Sequence, residues 1–248
     1  MAGRLEGKAA LVTGASSGIG RATALALAAE GADVAVGARR TGRLAVLAEE
    51  LVAMGVRSAV LELDVADEAA CARAVQAAVA ALGGLDILVN NAGVMLLGDI
   101  EGADIEDWRR MVDTNLLGLM YMTHAALPHL LARRGTIVQM SSTAGRTVRA
   151  GTGVYNATKW AVNAFSESLR QEVTARGLRV VVVEPGIVAT ELREHITQPA
   201  AKERIEATAA GMRQLQPADV AAAVLYAVGQ PAHVAVNEVL VRPTDQGW

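Results

Sequence analysis

Cysteine, aromatic residues and surplus charge are what this 248-residue chain has least of. Its one cysteine, Cys71, excludes an internal disulfide and the C-x-x-C pairs of a zinc site. It lies in the alanine-rich stretch CARAVQAAVA and reads as a packed thiol in a reducing cytosol. Aromatics make up 3% with a single Phe, so a core has to be assembled from Val, Leu, Ala and Met. That composition suits parallel strands between close-packed helices. A formal net charge of −3 supplies no positive field for a polyphosphate backbone, which argues against nucleic acid as a partner. No apolar run approaches the roughly 18 residues that span a bilayer. The opening MAGRLEGKAALVTG carries charges where a secretory leader would be apolar, so a cytoplasmic chain with no membrane partner is expected. Proline-rich linkers, repeats and compositional breaks are also missing, and 52% of the residues are hydrophobic. One domain over residues 1–248 is therefore expected.

What the chain does have is alternation. KAALVTG is a short run of strand type ending in a glycine cluster, and RATALALAAE follows as a helix closed by Gly31. DVAVGA reads as a second strand, after which Leu44, Leu47, Ala48 and Leu51 mark the apolar face of a helix stopped at Gly55. AVLELDV, a helix near Asp67 to Leu82, LDILVNNAG, TIVQMSS, LRVVVVEPG and EVLVRP continue the pattern. Seven strands alternating with six helices, with runs such as VVVV apolar on both faces, predict a single doubly wound α/β (Rossmann) domain. Its sheet is expected to be mainly parallel, with helices on both faces and right-handed crossovers. Ligands of such sheets lie beyond the carboxyl ends of the strands, where strand order reverses. Polar residues and glycines gather at those ends.

Gly14, Ser16, Ser17, Gly18, Ile19 and Gly20 form the turn TGASSGIG between the first strand and its helix. Glycines there let backbone N–H groups approach a pyrophosphate stabilised by the positive end of the helix, while the plainer reading is a turn that packs helix on strand. The second strand should select the coenzyme, because a carboxylate at its end would accept from the adenosine ribose and repel a 2′-phosphate. It ends instead in Ala38, Arg39 and Arg40. A guanidinium pairs two phosphate oxygens in a fork, so Arg39, helped by Arg40, argues for NADP(H) unless both are simply solvated surface charges.

Tyr155 and Lys159 stand four apart in VYNATKWAVNAF and share a helix face. An ammonium beside the phenol is expected to pull its pKa toward the working range of a proton donor. Alone, such a pair is an ordinary helix surface. Ser142, at the end of TIVQMSS, could donate to a carbonyl oxygen that gains charge as hydride arrives; the alternative is that Ser141 and Ser142 cap a helix or close a turn. Asn115 lies on the otherwise apolar stripe Trp108, Val112, Leu119 and Met122. It is either a satisfied structural amide or a link holding water beside Lys159.

Together these residues resemble the short-chain dehydrogenase/reductase family over essentially the whole chain. TGASSGIG is similar to the family's coenzyme loop, Asp64 and Val65 to its adenine-contacting pair, and NNAG, with Asn91, Ala92 and Gly93, to the segment that stabilises the central sheet beside the coenzyme. Ser142, Tyr155 and Lys159 match the active-site motif at its usual interval, and Asn115 falls where the family has its helix asparagine. PGIVAT, with Pro185, Gly186, Ile187 and Thr190, resembles the stretch that contacts the nicotinamide. The resemblance implies hydride transfer between NADP(H) and a carbonyl or alcohol, and a homotetramer. Tyr155 would act as acid in reduction, Ser142 would orient the carbonyl, Lys159 would hold the nicotinamide ribose and Asn115 would anchor a proton relay. Segments such as MLLGDIE, VQMSS and ATELREHIT look like an NADPH-dependent aldehyde reductase of bacterial secondary metabolism. The alternatives are a 3-oxoacyl-thioester reductase and a catalytically silent dinucleotide sensor. A lid is expected at about 190–216, and Met95, Leu96, Val148, Ile187, His195 and Met212 are candidates for the substrate pocket, each equally readable as packing. Trp160, Val162 and Phe165 are candidates for subunit contact.

Overall fold

A computed structural model describes residues 3–247. Seven strands form one sheet: β1 (Ala9–Thr13), β2 (Asp33–Ala38), β3 (Ser58–Glu62), β4 (Ile87–Asn90), β5 (Thr136–Met140), β6 (Arg179–Pro185) and β7 (Glu238–Val241). Their order is β3-β2-β1-β4-β5-β6-β7, and every pairing is parallel. The chain runs outward from β1 to β3, then returns to the other side of β1 with β4. The switch point therefore lies between β1 and β4, and their carboxyl ends open a crevice there.

Helices cover both faces. Alpha helices α1 (Gly18–Ala29), α2 (Thr41–Ala53) and α8 (Pro217–Val228) bury Leu27, Leu44, Leu47, Leu51 and Val224 against one side of the central strands. On the other side lie α3 (Glu68–Leu82), α5 (Gly118–Arg133) and α6 (Gly153–Val173), with Cys71, Val75, Met122, Leu130 and Leu169. Both faces of β1 are thus dry, as its run of five buried residues requires. Cys71 is fully buried, its thiol donating to the Val65 carbonyl at 3.3 Å, and burial pushes its pKa up to about 12. It is the packed, inert thiol expected of it.

The fourth expected helix, between β4 and β5, is composite. α4 (Ile105–Val112) passes through a π-helical turn, Asp113–Leu117, into α5. The expected lid contains one further helix, α7 (Pro199–Ala210), after a 3-10 turn at Glu191–His195. α7 closes a third apolar cluster of Leu96, Leu97, Met111, Tyr155, Ile196 and Ala201, separate from the two sheet cores. Among the described residues no helix is long and apolar enough to cross a membrane.

Candidate active site

A cleft of about 550 Å³ lies at the carboxyl ends of the strands, over the switch point. Every candidate coenzyme or catalytic residue lines it except Gly20 and Asn115. The glycine loop owes its shape to two close approaches. A Cβ on Gly14, which has φ +64, would fall 2.8 Å from the Ala92 Cα. A Cβ on Gly20 would fall 2.5 Å from both the Gly14 carbonyl oxygen and the Asn91 amide nitrogen. Gly20 therefore lets α1 seat against the loop after β4 instead of facing a ligand.

The segment after β4 ties the strand ends together. The Asn91 side chain donates to the Thr13 carbonyl at 2.9 Å, and the backbone N–H groups of Asn91 and Ala92 both donate to the Thr13 hydroxyl at 3.0 Å. Asn90, one residue earlier, donates to Thr123 and Gln139 at 2.9 Å each, linking β4 to β5 and α5. Ser17 is extended at the N-cap of α1 and its hydroxyl does not cap the helix, which leaves the first-turn N–H groups open toward the cleft.

The two arginines after β2 differ. Arg39 is 69% exposed and only loosely paired with Asp64, at 3.9 Å. Arg40 is committed: it donates to the hydroxyls of Ser16 at 3.1 Å and Ser17 at 2.8 Å, and to the Glu191 carboxylate at 2.8 Å. Arg43 reaches the same carboxylate at 2.7 Å, and the two guanidiniums hold Glu191 at about 2, well below the usual carboxylate range. Glu191 follows Thr190, whose hydroxyl caps the 3-10 turn and whose methyl lies 3.1 Å from where a Gly18 Cβ would stand. The lid thus begins as an ion-paired clasp on the glycine loop.

Ser142, Tyr155 and Lys159 meet at the floor of the cleft. Ser142 closes a turn, as one reading of its sequence has it: its Oγ caps Thr143–Gly145 by accepting from the Ala144 N–H at 3.1 Å and donates to the Pro185 carbonyl at 3.4 Å, and it shares the cleft lining with Tyr155. Tyr155 and Lys159 occupy the first turns of α6 and are buried. The Lys159 ammonium donates to the Met140 carbonyl at 2.8 Å and lies 5.8 Å from the centre of the Tyr155 ring. The expectation that lysine lowers the phenol's pKa is corrected here. Burial pushes Tyr155 up, against a smaller lowering influence of the nearby Ser142 hydroxyl. Burial lowers Lys159 to about 8. At neutral pH the pair is a protonated phenol beside a mostly protonated amine.

Asn115 is a satisfied amide, as one of its two readings has it. Its Oδ1 accepts from the Val94 N–H and its Nδ2 donates to the Val94 carbonyl, both at 2.8 Å, with Thr158 at 3.3 Å. It pins the loop after β4 to the π-helical turn and to α6, and its side chain does not reach Lys159. Of the pocket candidates, Met95, Ile187 and His195 line the cleft, whereas Leu96 is core, Val148 is exposed and Met212 lies outside the lining. Val162 is fully buried within the chain and Phe165 partly so, which leaves Trp160, half exposed, on the helix surface. Glu191, Arg149 and Arg204 also line the cleft, although nothing local in the sequence marks them. The face of α7 toward the cleft, Ala201, Arg204, Ile205 and Thr208, is visible as helical spacing in PAAKERIEATAA.

A profile described as short chain dehydrogenase matches residues 8–201. The chain therefore belongs to the short-chain dehydrogenase/reductase family of oxidoreductases. It is 45% identical over 245 residues to glycine betaine reductase ATRR of Emericella nidulans, covering 98% of this chain but only 19% of that much longer protein. An uncharacterised oxidoreductase of Staphylococcus aureus (strain USA300) is 36% identical over 240 residues, 96% of this chain and 98% of its own. Among solved structures, the closed form of a serine dehydrogenase complexed with NADP+ matches with a TM-score of 0.89 and 37% identity, covering 96% of each chain. An alcohol dehydrogenase of Thermococcus sibiricus complexed with 5-hydroxy-NADP matches at 0.87 and 31%, covering 96% of this chain and 97% of the other.

Proposed function

We propose that this protein is an NADP(H)-dependent carbonyl reductase, acting in the cytosol as a homotetramer on a small aldehyde or ketone of the kind handled by clavulanic acid dehydrogenase in secondary metabolism. The observation that carries the reading is the convergence of Ser142, Tyr155 and Lys159 on one cleft floor beside the glycine loop. The fit to a dinucleotide rests on the glycine loop, whose Gly14 and Gly18 line the cleft, and on the uncapped N-terminus of α1. NADP-bound relatives of the same fold support the choice of coenzyme. So does the strand end at Ala38, with an available guanidinium on Arg39 and no carboxylate.

When bound, the coenzyme supplies or accepts hydride. The chain's own residues do the rest. The Tyr155 hydroxyl, held protonated by burial, gives its proton to the carbonyl oxygen, and Ser142 donates to the same oxygen as charge develops there. Lys159, fixed by the Met140 carbonyl, would hold the coenzyme ribose with its remaining N–H groups. Asn115 acts at one remove, holding Val94 and α6 in register, and with them the geometry on which a proton relay depends. Pro185, Gly186, Ile187 and Thr190 form the wall assigned to the nicotinamide, and Asp64 and Val65 the wall assigned to adenine.

The test is NADPH oxidation at 340 nm with a panel of aldehydes and ketones. Consumption requiring both enzyme and carbonyl is the expected result, and its failure across the panel while NADPH still binds would favour a silent sensor. Arg39→Ala is expected to weaken NADPH by about ten- to a hundred-fold, the worth of a hydrogen bond to a charged group, with little effect on NADH. Equal weakening of both coenzymes would contradict the assignment of the 2′-phosphate to Arg39.

A further inference from the structure

We infer that the substrate carries a carboxylate, held at the far end of the cleft by Arg149 and Arg204; this rests on the reductase reading above. The lining is electrostatically lopsided. Its two acids among the described residues, Asp64 and Glu191, both belong to the coenzyme end, where they pair with Arg39 and Arg40. Toward the lid the described residues of the lining include Arg110, Arg149, Arg193 and Arg204 and no carboxylate. Asp107, Glu206 and Asp99, which pair with Arg110, Arg193 and Arg204, are not among the lining residues. Arg193 is committed to Glu206, Gln214 and the Val188 carbonyl, but the lining at this end still holds arginines and, among the described residues, no carboxylate. A cleft of one sign raises the local concentration of the opposite sign.

Arg149 and Arg204 are the pair best placed to use this. Arg149 lies on the segment between the Ser142 turn and the start of α6, so it flanks the reacting end. Its side chain is exposed, and the partial desolvation it does undergo lowers its pKa. Arg204 comes from the cleft face of α7 and is packed over the same segment: a Cβ on Gly151 would stand 3.1 Å from its Nη2. Its pairing with Asp99 is a single contact at 3.0 Å with both partners more than half exposed, a type worth little in water. A planar carboxylate that engages two guanidiniums by forked bonds can compete with it. Charge at this end also disfavours an aldehyde carrying a fixed positive group.

The experiment uses NADPH with a series of ω-oxo acids of three to six carbons, the corresponding methyl esters and a trimethylammonio aldehyde. The acids are expected to be preferred over their esters in kcat/KM by about tenfold or more, and the cationic aldehyde to be poorest. Arg149→Gln and Arg204→Gln are each expected to lower the acid-to-ester ratio by about tenfold, while Arg109→Gln, an exposed arginine outside the lining, keeps it. Esters turned over as well as acids, or variants that leave the ratio intact, would overturn the inference even though reduction itself is observed. Calorimetric binding of succinate to the NADP+ complex is read alongside. Binding that Arg204→Gln weakens supports the anion site whatever the turnover, and absence of binding to the wild type counts against it. Failure of the reductase reading would show differently, as no NADPH oxidation with any aldehyde of either charge.

Discussion

The coenzyme half of the cleft is walled by backbone, whereas the substrate half is walled by side chains. On the first side, strand ends and the glycine loop are held by main-chain groups and short amides: Thr13 with Asn91 and Ala92, and Gly20 against Gly14. On the second, α7 meets the loop after β4 through the long charged side chains Arg204 and Asp99 and lies over Gly151, while the start of the lid is tied across to the coenzyme end by Glu191 with Arg40 and Arg43. A backbone wall tolerates no added atoms. A side-chain wall accepts substitution and changes its preferences when it does. One fold can in this way keep a fixed coenzyme site while its substrate varies.

The largest way to break this contrast is Gly20→Ala. The new Cβ would overlap the Gly14 carbonyl and the Asn91 amide, so α1 must shift, at a cost of about 1–3 kcal/mol in stability and a parallel loss in coenzyme affinity. Thermal unfolding with and without NADPH measures both. A variant with wild-type Tm and affinity would show that the backbone wall is not tight.

A middle-sized effect comes from Lys159. Its ammonium loses its proton near pH 8 in the folded chain but near 10.4 when unfolded. The value of kcat/KM for NADPH is expected to fall above about pH 8, because the neutral amine has one donor fewer and no charge to offer the coenzyme. Stability from this group changes in the opposite sense. Between about pH 8 and 10.4 the unfolded chain binds more protons than the folded one, so this contribution to stability rises with pH. Activity and Tm that declined together through this range would contradict the assignment.

The smallest effect is expected where the lid is clasped to the coenzyme end. Glu191→Gln removes an ion pair whose side chains are a third or more exposed, worth at most about 1 kcal/mol, so Tm is expected to stay within a few degrees. Amide exchange over 190–216 should nevertheless quicken, since the clasp fastens the start of the lid. Unchanged exchange would show that the lid is held elsewhere.

The same contrast explains which parts of the fold and site are legible in the sequence. Strands, their ends and the loop TGASSGIG are legible because apolar runs and glycines encode backbone directly, and the switch point follows from alternation. Tyr155 and Lys159 are legible as a helical pair, but not the sign of the phenol's shift, which depends on burial by Ile196, Ala201 and the rest of the third cluster. Asn115 stays unresolved in sequence because its partner is the main chain of Val94, twenty-one residues away. Glu191, Arg149 and Arg204 look like solvated charges. Only the fold brings Arg40 and Glu191 together across 151 positions, and Arg204 to Asp99 across 105.

The central claim, that a buried protonated Tyr155 completes hydride transfer from NADPH, is tested most directly by isotope. NADPH deuterated at the nicotinamide C4 is mixed with the enzyme and a carbonyl compound that it reduces, beside a Tyr155→Phe variant shown by titration to bind NADPH normally. The wild type is predicted to yield alcohol with one deuterium on the carbinol carbon. The variant is predicted to form it at least about a hundredfold more slowly, the usual share of a general acid. Alcohol without deuterium, or a Tyr155→Phe variant with a near-normal single-turnover rate, would contradict the account.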